Sequence, residues 1–167
     1  MEFVYIGLGS NLADPRTQVE SGLAALARLP RSTLLRRSRL YRSAPWGNTE
    51  QPEFINAVAE LETFLQPREL LEQLLRIERE AGRTRNGERW GPRVLDLDIL
   101  VHGERVLDEP GLHVPHAHLA QRAFVLVPLA EIAPDLQVPG LGPIHGLLAQ
   151  ADRSTCLPLE SERTLTE

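Results

Sequence analysis

The sequence predicts an α+β fold, a ferredoxin-like split β-α-β with a mostly antiparallel sheet and additional C-terminal elements. Three observations carry that expectation. Apolar and polar residues alternate with period two at residues 2–9, 33–43, 54–64 and 94–101; amphipathic stretches open at Pro15 and Pro67; and the resulting order is β-α-β-β-α-β.

The first strand is a short apolar run around Phe3, Val4, Tyr5, Ile6 and Leu8 that ends among Gly7 and Gly9. Asp14-Pro15 then places a capping residue before a first-turn proline, and Val19, Leu23, Leu26 and Ala27 form the helix stripe until Pro30 stops it. Residues 33–43 set Leu34, Leu40 and Tyr41 among four arginines, which suits one strand with an exposed face. The segment SAPWGNTEQP is too rich in Pro, Gly and Asn to be anything but a loop.

Residues 54–64 put Phe54, Asn56, Val58 and Glu60 on one face and Ile55, Ala57, Ala59 and Leu61 on the other, a strand that pairs with the preceding one. Pro67 opens the second helix, Leu70, Leu74, Ile77 and Ala81 line it, and Gly82 lies just past its end. A loop over residues 83–93 feeds the strand VLDLDILV, and residues 104–107 suit a short partner strand. The chain then turns helical and irregular from Pro115 to Pro134, forms a last helix at residues 144–149, and ends in a polar, loose tail from about Asp152. One domain over residues 1–167 is expected.

Composition narrows the function. At 167 residues and 42% hydrophobic content the chain can bury a core without disulfide or metal staples. A single cysteine, Cys156, suits a reducing compartment and hence the cytoplasm. The N-terminal stretch lacks the basic region of a signal peptide and reads as mature protein, and no apolar run reaches the ~20 residues of a membrane span. All 18 basic residues are Arg. Without lysine there is no Walker P-loop, no Schiff-base chemistry and no protein-kinase strand Lys. Phosphate handling falls to guanidinium, whose planar fork grips phosphate oxygens in pairs.

The strongest chemical signal is RWGPRVLDLDIL at residues 89–100. On a strand, Asp96 and Asp98 share a face about 7 Å apart. Two carboxylates so placed repel, and a hard divalent cation such as Mg²⁺ relieves that repulsion while leaving positions for substrate phosphates. On spacing alone the pattern also fits a solvated acidic face. Arg83, Arg85, Arg89 and Arg93 in the loop before the strand add counter-charge for a polyphosphate, and Glu78 sits at the edge of the preceding helix's apolar stripe, able to accept hydrogen bonds or orient an arginine. Phe54 and Asn56 share a strand face, placing a ring beside an amide as edge recognition of a flat heterocycle requires. His116, Arg122 and Phe124 form a third set, each equally at home in a structural role.

With these residues in place, the sequence resembles the 6-hydroxymethyl-7,8-dihydropterin pyrophosphokinase family of folate biosynthesis. The segments that carry the likeness are YIGLGSNL at 5–12, YRSAP at 41–45, QPEFINA at 51–57, residues 89–100, Val114-Pro115-His116, Arg122-Ala123-Phe124 and PLAEIAP at 128–134. The resemblance implies transfer of the intact pyrophosphoryl group from MgATP to the hydroxymethyl oxygen of the pterin, with release of AMP. It implies that Asp96 and Asp98 hold two Mg²⁺ ions and that Arg83 and Arg93 stabilise the transferring group. Glu78, Arg85, Trp90, Ile99 and His116 then serve the nucleotide site with Arg93 and Arg122. The pterin lies between Phe54 and Phe124, its edge read by Asn56 and by the backbone around Ser43, Ala44 and Trp46. Leu75, Gly111 and Ala117 depart from the family's usual polar or larger residues.

An RNA-recognition module of ferredoxin-like shape is the alternative of another class. It fits poorly with a net charge of −5, sparse aromatics and two aspartates on a central strand face. A diverged relative with another phosphoryl-transfer substrate is the alternative enzyme. The expected partners are ATP and the pterin, with neither nucleic acid nor membrane, for a chain acting as a monomer.

Overall fold

The apolar run at the N-terminus becomes an inner strand of a six-stranded sheet, because every residue from Val4 to Ser10 except Gly7 is buried. The computed structural model describes residues 1–12, 14–43, 52–83 and 94–159, with the side chain of Arg83 outside that description. Its elements are β1 (Glu2–Ser10), α1 (Pro15–Leu26), β2 (Ser32–Arg37), β3 (Tyr41–Ser43), β4 (Phe54–Thr63), α2 (Pro67–Arg83) and β5 (Asp96–His102), then β6 (Leu107–Glu109), β7 (Leu112–Val114), α3 (Ala123–Ile132), β8 (Gln137–Val138), β9 (Gly142–Pro143), α4 (Ile144–Ala149) and β10 (Cys156–Pro158).

The main sheet runs β10-β3-β4-β1-β5, with β2 also paired to β4, and every pairing in it is antiparallel. One face carries Ile6, Leu8, Ala57, Leu61, Leu97 and Ile99 against Val19, Leu23 and Leu26 of α1 and Leu70 and Leu74 of α2. The expected ferredoxin-like α+β arrangement, with both main helices on one face, is the arrangement observed. The other face carries Tyr5, Val58, Leu100 and Val101 against Val125, Leu126 and Leu129 of α3 and Ile144 of α4. The first turn of α3 stands beside the functional cavity.

Several expectations are corrected. Residues 33–43 form two strands, because the Ser38 hydroxyl accepts the Val58 N–H at 2.9 Å while its own N–H donates to the Val58 carbonyl at 2.8 Å, so a side chain bridges the break in the ladder. Asp14 does not cap a backbone N–H; its carboxylate accepts the Thr17 hydroxyl at 2.8 Å. Gly82 lies inside α2 rather than past it, since the helix runs on to Arg83. The short strand expected at residues 104–107 falls later, as the β6–β7 hairpin. Gly111 in that hairpin has φ +75°, a left-handed conformation that glycine adopts without the steric cost a Cβ would bring.

The loose tail is corrected over residues 153–158. Asp152 accepts the Ser154 N–H at 3.1 Å and starts a 3₁₀ turn, and Cys156–Pro158 then pairs antiparallel with β3. Three paired residues are too few to show as periodicity, but Cys156 at 4% exposure closes an edge that β3 would otherwise leave open. Residues 160–167 of that tail lie outside the described residues.

Candidate active site

A cavity of about 270 Å³ opens on the sheet face beside the start of α3. Gly7, Gly9, Asn56 and Phe54 form its floor and one wall, Asp96 and Asp98 another, and Arg122 and Phe124 the side facing them. Its described part is close to the smaller end of small-molecule pockets, about 300 Å³.

Strand register assembles these residues. Gly9 pairs with Asn56 on one side and Asp96 on the other, while Gly7 pairs with Val58 and Asp98. Directly opposed residues share a face, so Asn56, Gly9 and Asp96 form one row across three strands. The bare glycines between amide and carboxylates lower the floor. A Cβ at Gly9 would stand 3.0 Å from the Asn56 amide nitrogen. Neither glycine is among the residues assigned a site role from sequence, though glycine within a strand is itself a sign of close approach by a ligand or backbone.

Asn56 is buried and its orientation is set, because the Ser43 hydroxyl donates to its Oδ1 at 2.7 Å. That bond turns the Nδ2 amide toward Gly9 and the cavity. Ser43 is in turn held in β3 by its pairing with Phe54 on one side and Cys156 on the other.

The aspartates stand on β5, an edge strand of the main sheet. There Leu97, between them, turns its N–H away from β1, and the Glu78 carboxylate accepts it at 2.7 Å. Glu78 thus reaches the site through the backbone that carries Asp96 and Asp98. Farther along, β5 bulges where Ile6 faces Ile99 and Tyr5 faces Val101, and the Leu100 carbonyl accepts the His116 N–H at 2.9 Å. This places the His116 Nε2 3.9 Å from Asp98 Oδ1. His116 Nδ1 accepts the His118 N–H at 3.2 Å, which puts the neutral ring's proton on Nε2, facing the carboxylate. Burial pushes the His116 pKa down, against the upward pull of Asp98.

Arg122 caps α3 with its guanidinium carbon 5.5 Å from the centre of the Phe124 ring. Its buried Nε has no hydrogen-bond partner among the described residues, a donor available to an anionic ligand. Of the other residues expected here, Ile99 points into the α1–α2 core at 5% exposure. Only its backbone can serve a ligand. Arg85, Trp90, Arg93, Ala44 and Trp46 lie outside the described residues, as does the Arg83 side chain.

Comparison with known proteins decides the family. The model of 7,8-dihydro-6-hydroxymethylpterin-pyrophosphokinase, HPPK, matches residues 5–134. The chain belongs to the HPPK family. A 2-amino-4-hydroxy-6-hydroxymethyldihydropteridine pyrophosphokinase from Pseudomonas aeruginosa is 54% identical over 146 residues, covering 87% of this chain and 90% of that one. Its namesake from Haemophilus influenzae is 46% identical over 146 residues, 87% of this chain and 91% of the relative. Among solved structures, a Plasmodium falciparum HPPK-DHPS chain superposes with a TM-score of 0.72 at 13% identity. This chain spans 45% of that longer one, and 89% of its own length is matched. The likeness to it is one of fold. The HPPK match takes in Asp96, Asp98, Asn56, Phe54, Phe124 and Arg122 together.

Proposed function

We infer that this HPPK chain moves the pyrophosphoryl group of ATP onto the hydroxymethyl oxygen of 6-hydroxymethyl-7,8-dihydropterin in folate biosynthesis, with Asp96 and Asp98 as its metal-holding pair and the Phe54–Asn56–Phe124 face as its pterin site. The observation that carries the reading is the single cavity shared by two carboxylates, a buried amide and two aromatic rings. Charge for phosphates and flat apolar surface for a heterocycle meet there across β4, β1, β5 and the first turn of α3.

The donor set suits magnesium. Two carboxylates share one face, and among the described residues no group of three or more His, Cys, Asp or Glu side chains converges, which leaves coordination positions for phosphate oxygens and water. Two Mg²⁺ ions held by Asp96 and Asp98 would neutralise the oxygens around the transferring phosphorus. In the reaction the pterin alcohol oxygen bonds to the β-phosphorus, the bond from that phosphorus to the oxygen bridging the α-phosphate breaks, and AMP leaves with that oxygen; the alcohol's proton goes to solvent. Positioning and charge stabilisation supply most of the acceleration in such transfers.

Each protein group has a definable part. Asn56, turned by Ser43, reads the edge of the heterocycle, and Phe54 and Phe124 take its faces. Arg122 supplies a donor, its Nε, that no described residue takes, beside the rings where the pterin meets the phosphates. Glu78 fixes the backbone between the aspartates, and His116 flanks Asp98 on the nucleotide side. Arg83, Arg85, Trp90 and Arg93, by their place in the family motif, complete the triphosphate and nucleotide contacts, with Ala44 and Trp46 on the pterin edge. By the alternation of the β5 ladder, Ile99 presents its backbone at the open edge. The reading takes one domain over residues 1–167 acting as a cytoplasmic monomer with no nucleic acid or membrane partner, and the lone buried thiol of Cys156 supports a reducing compartment.

AMP release from ATP, Mg²⁺ and 6-hydroxymethyl-7,8-dihydropterin tests the reading, beside an Asp98→Ala variant and a metal-free control. AMP and pterin diphosphate are expected only with metal and the intact aspartate. Turnover by Asp98→Ala at the wild-type rate would remove the carboxylate pair from the mechanism.

A further inference from the structure

Tyr41 of the YRSAP segment and Glu131 of PLAEIAP do not line the cavity, yet they meet. The Tyr41 hydroxyl donates to Glu131 Oε1 at 2.5 Å across 90 residues of sequence. Glu131 also accepts the Arg39 backbone N–H at 3.1 Å, and the Arg39 side chain donates to the Tyr41 oxygen at 3.3 Å. Tyr41 is 2% exposed. A hydroxyl in that position would be costly without its acceptor.

The location gives the contact a purpose. Tyr41 lies directly opposite Asn56 in the β3–β4 register and so extends the Asn56–Gly9–Asp96 row by one strand. Its ring forms a buried cluster with Ala123 and Cys156, against which Phe124 and Val127 pack. Phe124 and Glu131 stand two turns apart on α3, and hence on the same side of the helix. Between them is Pro128, which has no N–H to donate to the Phe124 carbonyl and so leaves the first turn of α3 without that ladder bond. Tyr41 spans the break, gripping Glu131 beyond the proline with its hydroxyl and packing with the first turn through its ring.

We propose that Tyr41, joined to Glu131, is the positioning residue that splints α3 across Pro128 and holds Phe124 and Arg122 at the separation from Phe54 and Asn56 that the pterin ring requires. The inference rests on the pterin site assigned above. Tyr41 touches no reacting atom; it acts through Phe124.

Steady-state kinetics on the full chain, with both substrates varied, test it. Tyr41→Phe and Glu131→Ala are expected to raise KM for the pterin about tenfold while KM for ATP stays within about twofold, because the lost bond displaces one wall of one subsite. Glu131→Gln retains a carbonyl oxygen for the Tyr41 hydroxyl and is expected to stay within about threefold of wild type. Phe124→Ala, run alongside, separates the two levels of inference. If it leaves the pterin KM unchanged, the ring-slot assignment falls and the splint with it. If it raises that KM while Tyr41→Phe and Glu131→Ala do not, the splint alone falls. A parallel rise in both KM values, accompanied only by a lower Tm, also overturns the splint, since that is what general loosening of the fold produces.

Discussion

Glu78 on α2 accepts the backbone N–H of Leu97 at 2.7 Å, midway between the two aspartates of β5. An edge strand exposes alternate N–H groups that no neighbouring strand takes, and here the margin of a helix's apolar face supplies the acceptor. The bond ties the strand that carries Asp96 and Asp98 to the helix that ends at Arg83, ahead of the arginine-rich sequence of residues 85–93. A shift of α2 therefore moves Asp96 and Asp98.

Replacing Glu78 should separate the hydrogen bond from the charge. Glu78→Ala leaves Leu97 without this acceptor, for a stability loss of about 1.5–3 kcal/mol, the range for a hydrogen bond to a charged group. It should also lower kcat by about tenfold through displaced carboxylates. Glu78→Gln retains an acceptor oxygen and should recover most of both. Urea midpoints and kcat for the pair of variants check this; a glutamine variant as poor as the alanine one would show that the negative charge matters more than the bond.

Two glycines should answer alanine in opposite ways. At Gly9 a new Cβ would approach Asn56 Nδ2 to 3.0 Å and turn the amide that Ser43 holds. Gly9→Ala should raise the pterin KM about tenfold, with ATP affinity little changed. Gly82 lies in α2 with no atom of another described residue within 4 Å of its would-be Cβ. Gly82→Ala should add about 0.5–1 kcal/mol, because alanine loses less backbone entropy on entering a helix. Thermal melts and substrate titrations read the two effects separately.

Features fixed by strand periodicity show in the sequence, and those fixed by topology or by a single side-chain bond do not. Asp96 and Asp98 were legible because strand periodicity forces residues two apart onto one face, whatever the rest of the fold does. Phe54 and Asn56 were legible for the same reason, although their meeting with the aspartates depends on β1 lying between β4 and β5, a matter of topology. The break at Ser38 was not legible, since a serine hydroxyl replacing a ladder bond leaves the alternation of Leu34, Leu40 and Tyr41 undisturbed. Nor was the pairing of β10, where a three-residue strand is stabilised by an available edge more than by its own composition. Ile99 shows the converse limit, for a family motif marks a position without saying whether side chain or backbone does the work.

Removal of residues 152–167 should therefore be felt at the pterin end of the site. It strips β10 from β3, uncovers the Tyr41–Ala123 cluster that Cys156 closes, and leaves Ser43 on an open edge. The truncated chain should melt lower and show a raised pterin KM, while KM for ATP changes little. Truncation after residue 159 retains β10 and should restore both, which near-ultraviolet circular dichroism and initial rates can establish.

The end of β5 far from the aspartates should govern stability in acid. His102 is 0% exposed, its Nδ1 lies 3.2 Å from Glu2 Oε1, and Glu2 is bound by Arg105 at 2.9 Å, with Gln66 bonded to Arg105 beyond. Burial lowers the His102 pKa, partly offset by Glu2 and reinforced by Arg105. As pH falls below about 6.5, the unfolded chain takes up this proton before the folded one does, so unfolding gains free energy from protonation. The contribution of a neutral His102 is full above that pH and is lost as pH falls through the lowered folded value. Between pH 7.5 and 5.5 the loss can reach about 1.4 kcal/mol, the worth of one pH unit for one proton. Urea unfolding of wild type and His102→Asn at the two pH values isolates it. The wild type should lose more stability than the variant by up to that amount; equal losses would mean that His102 titrates alike folded and unfolded, and a smaller loss in the wild type that Glu2 holds it charged in the fold.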